Sequence, residues 1–425
     1  MTINNEAQLA NTLETLLCFG VDYFGILSHY DSILVALSAL YTYSDKMRKC
    51  VTVDDLLTHI STRCDIDAVS DALQSITTNK GSESRGVNDY VDTVADIVHF
   101  KHQTGEVYDF AGMLYRMHAI MVGKSNAGQV MTPPHITRLM VRLLGVTADD
   151  VVMDTTCGCG TLLMTAAGMT GCKVVGVEYF DQMYNIAIIN TAVNGIDYTQ
   201  IRSGDATTEA IGKYITEVAP SVLLLNPPYE TKNGCMKIVK SALDNAPKGA
   251  RVAIILPDTK LDKQRGHKLL RDHTLSTIVK LPSEVFAAFV DTSIFIFSPH
   301  VPQGDTKINA FRIDSDGHKT IKKRGRIDIE NKWANDYEDY WVNAVKSNTD
   351  QRHNTHSVVD PAVRLSYPPE EKATIITQDD YMCTVVDYYI STTDGVTVEE
   401  LKAMLKAELD GMLYGLSGGD DNEQN

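Results

Sequence analysis

Four consecutive residues, Asn226-Pro227-Pro228-Tyr229, have types and an order that suit chemistry on a planar amino group. The lone pair of such a nitrogen is delocalised, so the nitrogen is a poor nucleophile. The Asn226 amide oxygen and the Pro227 carbonyl oxygen can accept its two hydrogens and leave the lone pair directed at an electrophile. The prolines fix their φ angles and cannot pair in a strand, while the Tyr229 ring can stack on the planar group. We therefore predict a site where an aromatic or amide nitrogen is the nucleophile and the neutral Asn226 takes no proton.

A second group of residues has the types needed to bind a nucleoside. Asp154 ends an apolar run, and Gly158 and Gly160 follow it in a turn where the backbone can approach a ligand closely. Glu178 ends the next run, where a carboxylate can accept both hydroxyls of a ribose. Asp205 follows a third predicted strand, which lies between the runs at 173–178 and 221–226, and it can accept the exocyclic amine of an adenine. The third glycine of the dinucleotide-binding fingerprint is absent, which argues against a dehydrogenase.

These candidate residues follow short apolar runs that alternate with helical segments. Continuous β-branched runs bounded by turn residues indicate strands buried on both faces, and helices between them imply a parallel, doubly wound α/β sheet. Ligands bind beyond the carboxyl ends of such strands, which is where the candidates lie. The runs occupy residues 151–154, 173–178, 221–226, 251–256, 277–281 and 292–297.

The composition limits the class of protein. The 425 residues are 44% hydrophobic and 22% charged, which suffices for a sizeable core and excludes global disorder. No membrane span or secretory signal is visible, so we expect a cytoplasmic protein with reduced thiols. Of the eight cysteines, Cys157, Cys159 and Cys172 are interpreted as small residues near a tight glycine loop, and we predict no metal site. The net charge of −16 indicates that another subunit or one local basic patch would have to bind any nucleic acid.

The order of the candidate residues resembles that of S-adenosylmethionine-dependent amino-methyltransferases. The segment Gly128-Gln129-Val130-Met131-Thr132-Pro133-Pro134 resembles, more specifically, the Gly-Gln-x-x-Thr-Pro lead-in of the methylation (M) subunit of type I restriction–modification systems. Later segments at residues 251–258, 278–286 and 292–294 fit the same family, and the resemblance is specific over residues 120–330. Thr155 departs from it, because the family usually has proline there, and Cys159 replaces a small serine or threonine.

This resemblance implies an N6-adenine DNA methyltransferase that acts on a base flipped out of the duplex. It also implies a mostly parallel, seven-stranded methyltransferase sheet. The residues implied to bind the cofactor, S-adenosylmethionine, are Thr132, Pro133, Asp154, Gly158, Gly160, Glu178 and Asp205. The residues implied to be catalytic are Asn226, Pro227, Pro228 and Tyr229.

We predict four regions along the chain. They are a helical domain over residues 1–125, the catalytic domain over 126–312, a smaller α-rich C-terminal region over 313–416 that contacts a partner or DNA, and a disordered tail over 417–425. The basic cluster at residues 318–326 is a candidate phosphate contact.

The expected partners follow from the resemblance and from the layout of the chain. The segment between Tyr229 and the next strand at Arg251 is too short for a target-recognition domain. We therefore expect DNA as substrate, a separate specificity subunit and, as a further candidate, a restriction subunit, with no membrane contact. Two alternatives stay open: a protein glutamine N5-methyltransferase, because Asn-Pro-Pro-Tyr also serves a side-chain amide, and a catalytically inactive methyltransferase-like binding module.

Overall fold

The computed structural model describes residues 3–26, 28–78, 80–122, 131–229, 234–286, 290–321, 325–369, 400 and 403. The chain divides into two compact units, Met1–Pro368 and Pro369–Asn425, and every element described below lies in the first. None of the helices in the described ranges is long and apolar enough to cross a membrane. The predicted tail at residues 417–425 lies outside the described residues.

Helices make up the first part of the chain, as predicted. Asn5 is the N-cap of the first helix, because its side chain accepts a hydrogen bond from the backbone N–H of Gln8 at 2.9 Å. Thr52 and Asp55 form a capping box at the start of the third. The helices are α1 (Glu6–Cys18), α2 (His29–Thr42), α3 (Val53–Arg63), α4 (Asp67–Gln74), α5 (Val87–Thr104) and α6 (Phe110–Val122).

Strands and helices then alternate. In chain order the elements are α7 (Pro134–Leu143), β1 (Val151–Asp154), α8 (Thr161–Thr170), β2 (Lys173–Glu178), α9 (Asp181–Val193), β3 (Ile201–Ser203), α10 (Glu209–Val218), β4 (Val222–Leu225), α11 (Gly234–Asn245), β5 (Arg251–Pro257), α12 (Gln264–Leu269), β6 (Thr274–Lys280), β7 (Thr292–Ser298) and β8 (Ile308–Arg312). The remaining elements are β9 (His318–Ile321), β10 (Gly325–Asp328), α13 (Glu338–Ser347) and β11 (Ser357–Val359).

Among the described residues, nine strands form the main sheet, in the order β11-β8-β6-β7-β5-β4-β1-β2-β3. The run from β3 to β5 is parallel, and β7 lies antiparallel between β5 and β6. The mostly parallel α/β sheet is therefore confirmed, but it has two strands more than the seven that we predicted. Strand β8 pairs parallel to β6, and β11 pairs antiparallel to β8. Strands β8 and β11 were not predicted, because both are short and mix polar with apolar residues, so their sequences resemble those of loops.

The central strands of the sheet are buried on both faces, and successive residues along them alternate between two cores. Along β4, Val222 and Leu224 pack into the core shared with α8, α9 and the N-terminal helices. Leu223 and Leu225 pack into the opposite core, which contains residues of α10, α11 and α12. All four side chains are fully buried. This explains why the central strands are continuous apolar runs rather than alternating ones.

The described part of the C-terminal region is mixed rather than α-rich. Strands β9 and β10 form a separate antiparallel hairpin, α13 follows, and β11 joins the main sheet. The predicted domain boundaries at residues 125 and 312 stay predictions.

Candidate active site

Four adjacent strands bring the candidate residues to one edge of the sheet. Asp154 is the last residue of β1, and Glu178 is the last residue of β2. Asp205 follows β3 closely, and Asn226 comes directly after β4. Because these strands are parallel and lie in the order β4-β1-β2-β3, their carboxyl ends meet at the same edge.

The turn after β1 is shaped for close approach of a ligand. Gly158 and Gly160 have φ angles of +56° and +91°, a conformation that strains residues with side chains. The Gly158 N–H donates to Glu178 Oε2 at 2.8 Å, and the Phe180 N–H donates to Glu178 Oε1 at 2.9 Å. Glu178 is buried, and this burial raises its pKa although both N–H groups favour the carboxylate. The loop and the acid therefore have a fixed relative orientation.

Asp154 is the most deeply buried acid of the site, with 1% of its surface exposed. Its Oδ1 accepts a hydrogen bond from the Thr156 N–H at 2.9 Å. Burial raises the pKa of Asp154 to about 7, and the nearby Glu178 charge acts in the same direction. Asp205 is only half-buried, and its carboxylate accepts from the Thr207 N–H at 2.8 Å.

The Asn226 side-chain amide lies between two hydroxyl groups. Its Nδ2 donates to Thr132 Oγ1 at 2.9 Å, and its Oδ1 accepts from the Tyr229 hydroxyl at 2.7 Å. Burial raises the pKa of Tyr229, which keeps the phenol protonated. Pro227 is buried and Pro228 is exposed. The amide oxygen that would hold a substrate amine is thus occupied by the phenol.

Two described residues of the lead-in segment contact this site, and one of them is Met131, whose sulfur lies 3.8 Å from Cys159 Sγ in the glycine loop. Thr132, which the resemblance implied to bind the cofactor, is buried and contacts Asn226. Pro133 precedes α7, and Pro134 is the first residue of that helix, a position that suits proline because the missing N–H has no partner there anyway. Residues 128–130 of the lead-in lie outside the described residues.

The sequence interpretation missed polar side chains that join the glycine loop to the helical region. Asn190 of α9 is fully buried, and its Nδ2 donates to the Cys159 backbone oxygen at 3.1 Å and to Asp109 Oδ1 at 3.2 Å. The signal was an asparagine that follows the apolar run Ile186–Ile189 within α9. Two exposed aromatic residues, Tyr179 and Phe180, directly follow Glu178 and were also overlooked.

A cluster of metal-ligand types, His135, Asp316 and His318, has its candidate ligand atoms within 4.8 Å of one another. The two imidazole rings are stacked, with centroids 4.0 Å apart and planes 19° from parallel. A metal must lie in the plane of each imidazole that binds it, and stacked rings direct their lone pairs along separate planes. Arg326 Nη2 also donates to both Asp316 oxygens, at 2.6 and 2.7 Å. We interpret the cluster as a buried ion pair between Asp316 and Arg326, with His135 donating a further hydrogen bond.

The same ion pair changes the prediction for the basic cluster at residues 318–326. Arg326 also donates to Glu284 at 2.9 Å, so its guanidinium is committed within the chain. His135 and Arg326 together hold the pKa of Asp316 well below its usual range, although burial opposes this. Lys319 is exposed, and residues 322–324 lie outside the described residues.

Solved structures show the class to which this fold belongs. The methyltransferase subunit of a type I restriction–modification system from Streptococcus thermophilus superposes with a TM-score of 0.62 at 16% identity. The match covers 86% of this chain and 99% of that one. The methyltransferase fold predicted from the sequence is therefore confirmed.

Sequence comparisons show which methyltransferases this chain is similar to. Residues 100–245 match the family model N-6 DNA Methylase. The type II restriction enzyme and methyltransferase RM.BcgI of Heyndrickxia coagulans is 25% identical over 282 residues, which are 59% of this chain and 44% of that protein. The type I restriction enzyme EcoEI methylase subunit of Escherichia coli is 26% identical over 243 residues, 48% of this chain and 47% of that one. The chain spans less than half the length of these two relatives, and over the matched part the predicted resemblance to methylation subunits is confirmed.

Proposed function

We propose that this chain transfers a methyl group from S-adenosylmethionine to the N6 amine of an adenine flipped out of DNA, as the modification subunit of a type I-like restriction–modification system. The observation that carries the proposal is the Asn226 amide, fixed after β4 beside the strand ends that bear Asp154 and Glu178. The match of residues 100–245 to N-6 DNA Methylase supports adenine as the substrate base.

The residues at the strand ends fit the proposed cofactor. The glycine loop leaves its backbone open, since a Cβ at Gly158 would meet nothing closer than Met183 at 3.8 Å. Glu178 would accept the ribose hydroxyls, and Asp205 would accept the adenine amine. When bound, S-adenosylmethionine supplies a methyl group on a positively charged sulfur.

The chain's own groups would then prepare the target amine. Asn226 Oδ1 and the Pro227 carbonyl oxygen accept its two hydrogens, which directs the nitrogen lone pair towards the methyl group. The Tyr229 ring stacks on the base and holds it in place, and its hydroxyl must first release Asn226 Oδ1. The nitrogen would bond to the methyl carbon as the sulfur–methyl bond breaks and its electron pair stays on the sulfur. The nitrogen would then lose one proton to solvent, because the neutral amide of Asn226 cannot take it.

Labelled S-adenosylmethionine tests the proposal directly. The chain, with and without a specificity subunit from the same genomic neighbourhood, is incubated with DNA, and the methylated base is identified. We expect N6-methyladenine from the complex. Asn226→Ala should abolish methylation and leave cofactor affinity nearly unchanged, since Asn226 acts on the substrate amine. Transfer to a protein glutamine, or normal methylation by Asn226→Ala, would contradict the proposal.

Variants of two further residues separate cofactor binding from base binding. Glu178→Ala should weaken S-adenosylmethionine binding by about 1–3 kcal/mol, the range for a charged hydrogen bond. Tyr229→Phe should keep most of the activity because stacking needs only the ring, whereas Tyr229→Ala should lose roughly 1–3 kcal/mol of base binding.

A further inference from the structure

Arg116 carries a guanidinium nitrogen without a hydrogen-bond partner. It lies on α6, and its Nη1 is buried and bonds to no group within the described part of the chain. The charge nearest to Nη1 is Asp109 Oδ2 at 3.9 Å, beyond hydrogen-bond distance. A buried donor without an acceptor destabilises a protein, so such a group calls for a ligand or another explanation.

This charge lies beside the glycine loop. Asn190 Nδ2 bridges Asp109 Oδ1 and the Cys159 backbone oxygen, at 3.2 and 3.1 Å. A Cβ at Gly112 would come within 1.9 Å of Asp109 Oδ2 and 2.9 Å of Thr161 Oγ1, so the start of α6 packs against the first residue of α8.

The charges of Asp109 and Arg116 both affect the pKa of the Cys159 thiol. Burial raises its pKa to about 12, the Asp109 carboxylate adds to the rise, and the Arg116 guanidinium opposes it. Both charged side chains are therefore near the thiol of Cys159, which lies between Gly158 and Gly160.

The carboxylate of the proposed cofactor has no cationic partner among the residues predicted to bind it. The amino-acid end of the cofactor carries this carboxylate beside an ammonium group, and the charged residues at the strand ends, the acids Asp154, Glu178 and Asp205, can pair only with the ammonium. A carboxylate bound among acids would be repelled unless a positive group neutralised it. Arginine suits this task, because its planar fork donates two parallel hydrogen bonds to a carboxylate.

We propose that Arg116 binds the carboxylate at the methionine end of S-adenosylmethionine, with Asp109 holding the guanidinium in position. The inference rests on the proposed function, and it makes the helical N-terminal region part of the cofactor site. Phe110–Val122 would then be required for cofactor binding as well as for packing.

Calorimetry with three probes tests the assignment. S-adenosylmethionine has the carboxylate, decarboxylated S-adenosylmethionine lacks only that group, and 5′-methylthioadenosine lacks the whole amino-acid end. The unaltered chain should bind the decarboxylated probe about 10- to 100-fold more weakly than S-adenosylmethionine. Arg116→Gln should weaken S-adenosylmethionine binding by a similar factor and leave the other two affinities unchanged.

Two controls guard against misfolding. Unchanged binding of 5′-methylthioadenosine shows that the variant keeps its nucleoside pocket. Arg63→Gln, at an exposed position on α3, should leave all three affinities unchanged.

The outcomes that overturn the inference differ from those that overturn the function. If Arg116→Gln binds S-adenosylmethionine normally, or weakens all three probes equally, Arg116 has no role at the carboxylate. A DNA-binding titration of the same variant covers one further outcome: if only DNA binding is weakened, Arg116 is a phosphate contact and the inference is wrong. If the unaltered chain binds neither S-adenosylmethionine nor 5′-methylthioadenosine, the proposed function itself fails.

Discussion

Thr132 accepts one hydrogen bond from the Asn226 amide, and under the proposed function this bond would let the lead-in segment influence catalysis. Thr132→Val keeps the shape of the side chain but removes the acceptor, so the amide can rotate and turn its Nδ2 towards the substrate. We expect kcat to fall roughly fivefold, which corresponds to an activation free energy higher by about 1 kcal/mol. The affinity for S-adenosylmethionine should stay unchanged. Steady-state methylation kinetics and calorimetry measure the two quantities.

Thr132→Ser is the matched control, because it keeps the hydroxyl and should keep most of kcat. If Thr132→Val instead lowers cofactor affinity and leaves kcat intact, Thr132 contacts the cofactor and does not position Asn226.

Asp154 should make stability depend on pH. Its pKa is about 7 in the folded chain, against about 4 in an unfolded one. Between these values the folded chain binds more protons, so the free energy of unfolding should fall as pH rises from about 4 to about 7. In Asp154→Asn, the decrease in the free energy of unfolding between about pH 4 and about pH 7 should be smaller by up to about 4 kcal/mol. Urea denaturation across this pH range measures it. Equal pH dependence in both chains would show that Asp154 is not protonated when folded.

At the scale of elements, α7 is held to α13 by buried charge. Glu338 is 2% exposed and accepts from Arg138 Nε at 3.2 Å, from Arg142 Nη1 at 3.1 Å and from Trp333 Nε1 at 3.1 Å. Because α7 begins just after Thr132, this junction fixes the start of the helix next to the candidate site. Removing the acid would leave Arg138 and the indole N–H without this acceptor, while Arg142 would keep Asp339.

Glu338→Ala should therefore lower the free energy of unfolding by about 1.5–3 kcal/mol, the range for hydrogen bonds to a charged group, because Glu338 is buried but water can solvate the half-exposed Arg138. Asp339→Ala is the control: Asp339 also pairs with Arg142, at 2.6 Å, but it is largely exposed and should contribute less than about 1 kcal/mol. Denaturation curves for both variants decide the matter. Equal effects would mean that burial of Glu338 adds nothing to the junction.

The central strands and the placement of the candidate residues were predictable from the sequence, because buried parallel strands are continuous apolar runs with ligand residues after them. The buried contacts between distant segments were not. Asn190 and Asp109 are far apart in the chain, and neither type nor spacing indicates that they meet. The contacts of Glu338 with α7 were not predictable either, since charged residues on a helix usually face solvent.

For the whole molecule, the net charge of −16 leaves little general attraction for DNA. With Arg326 committed to Asp316, the local basic cluster is weaker than its sequence suggests. We expect the isolated chain to bind DNA weakly and without sequence preference. Site-specific adenine methylation should appear only when a specificity subunit is added, and should fall steeply with salt because phosphate contacts release counterions.

Light scattering and a methylation assay at several salt concentrations test this expectation. Strong, site-specific methylation by a lone monomer would refute it. The recognition role would then move to the C-terminal region.

The outermost strand of the main sheet comes from residues far along the chain. Strand β11 pairs with β8 through Ser357 with Ala310 and Val359 with Ile308. A fragment ending at residue 312 would leave the outer N–H and C=O groups of β8 open beside buried apolar side chains, and such an edge invites strand addition from another molecule. We expect that fragment to aggregate at concentrations where the longer chain does not. The shortest piece suited to purification is therefore set by β11 rather than by the last methyltransferase motif.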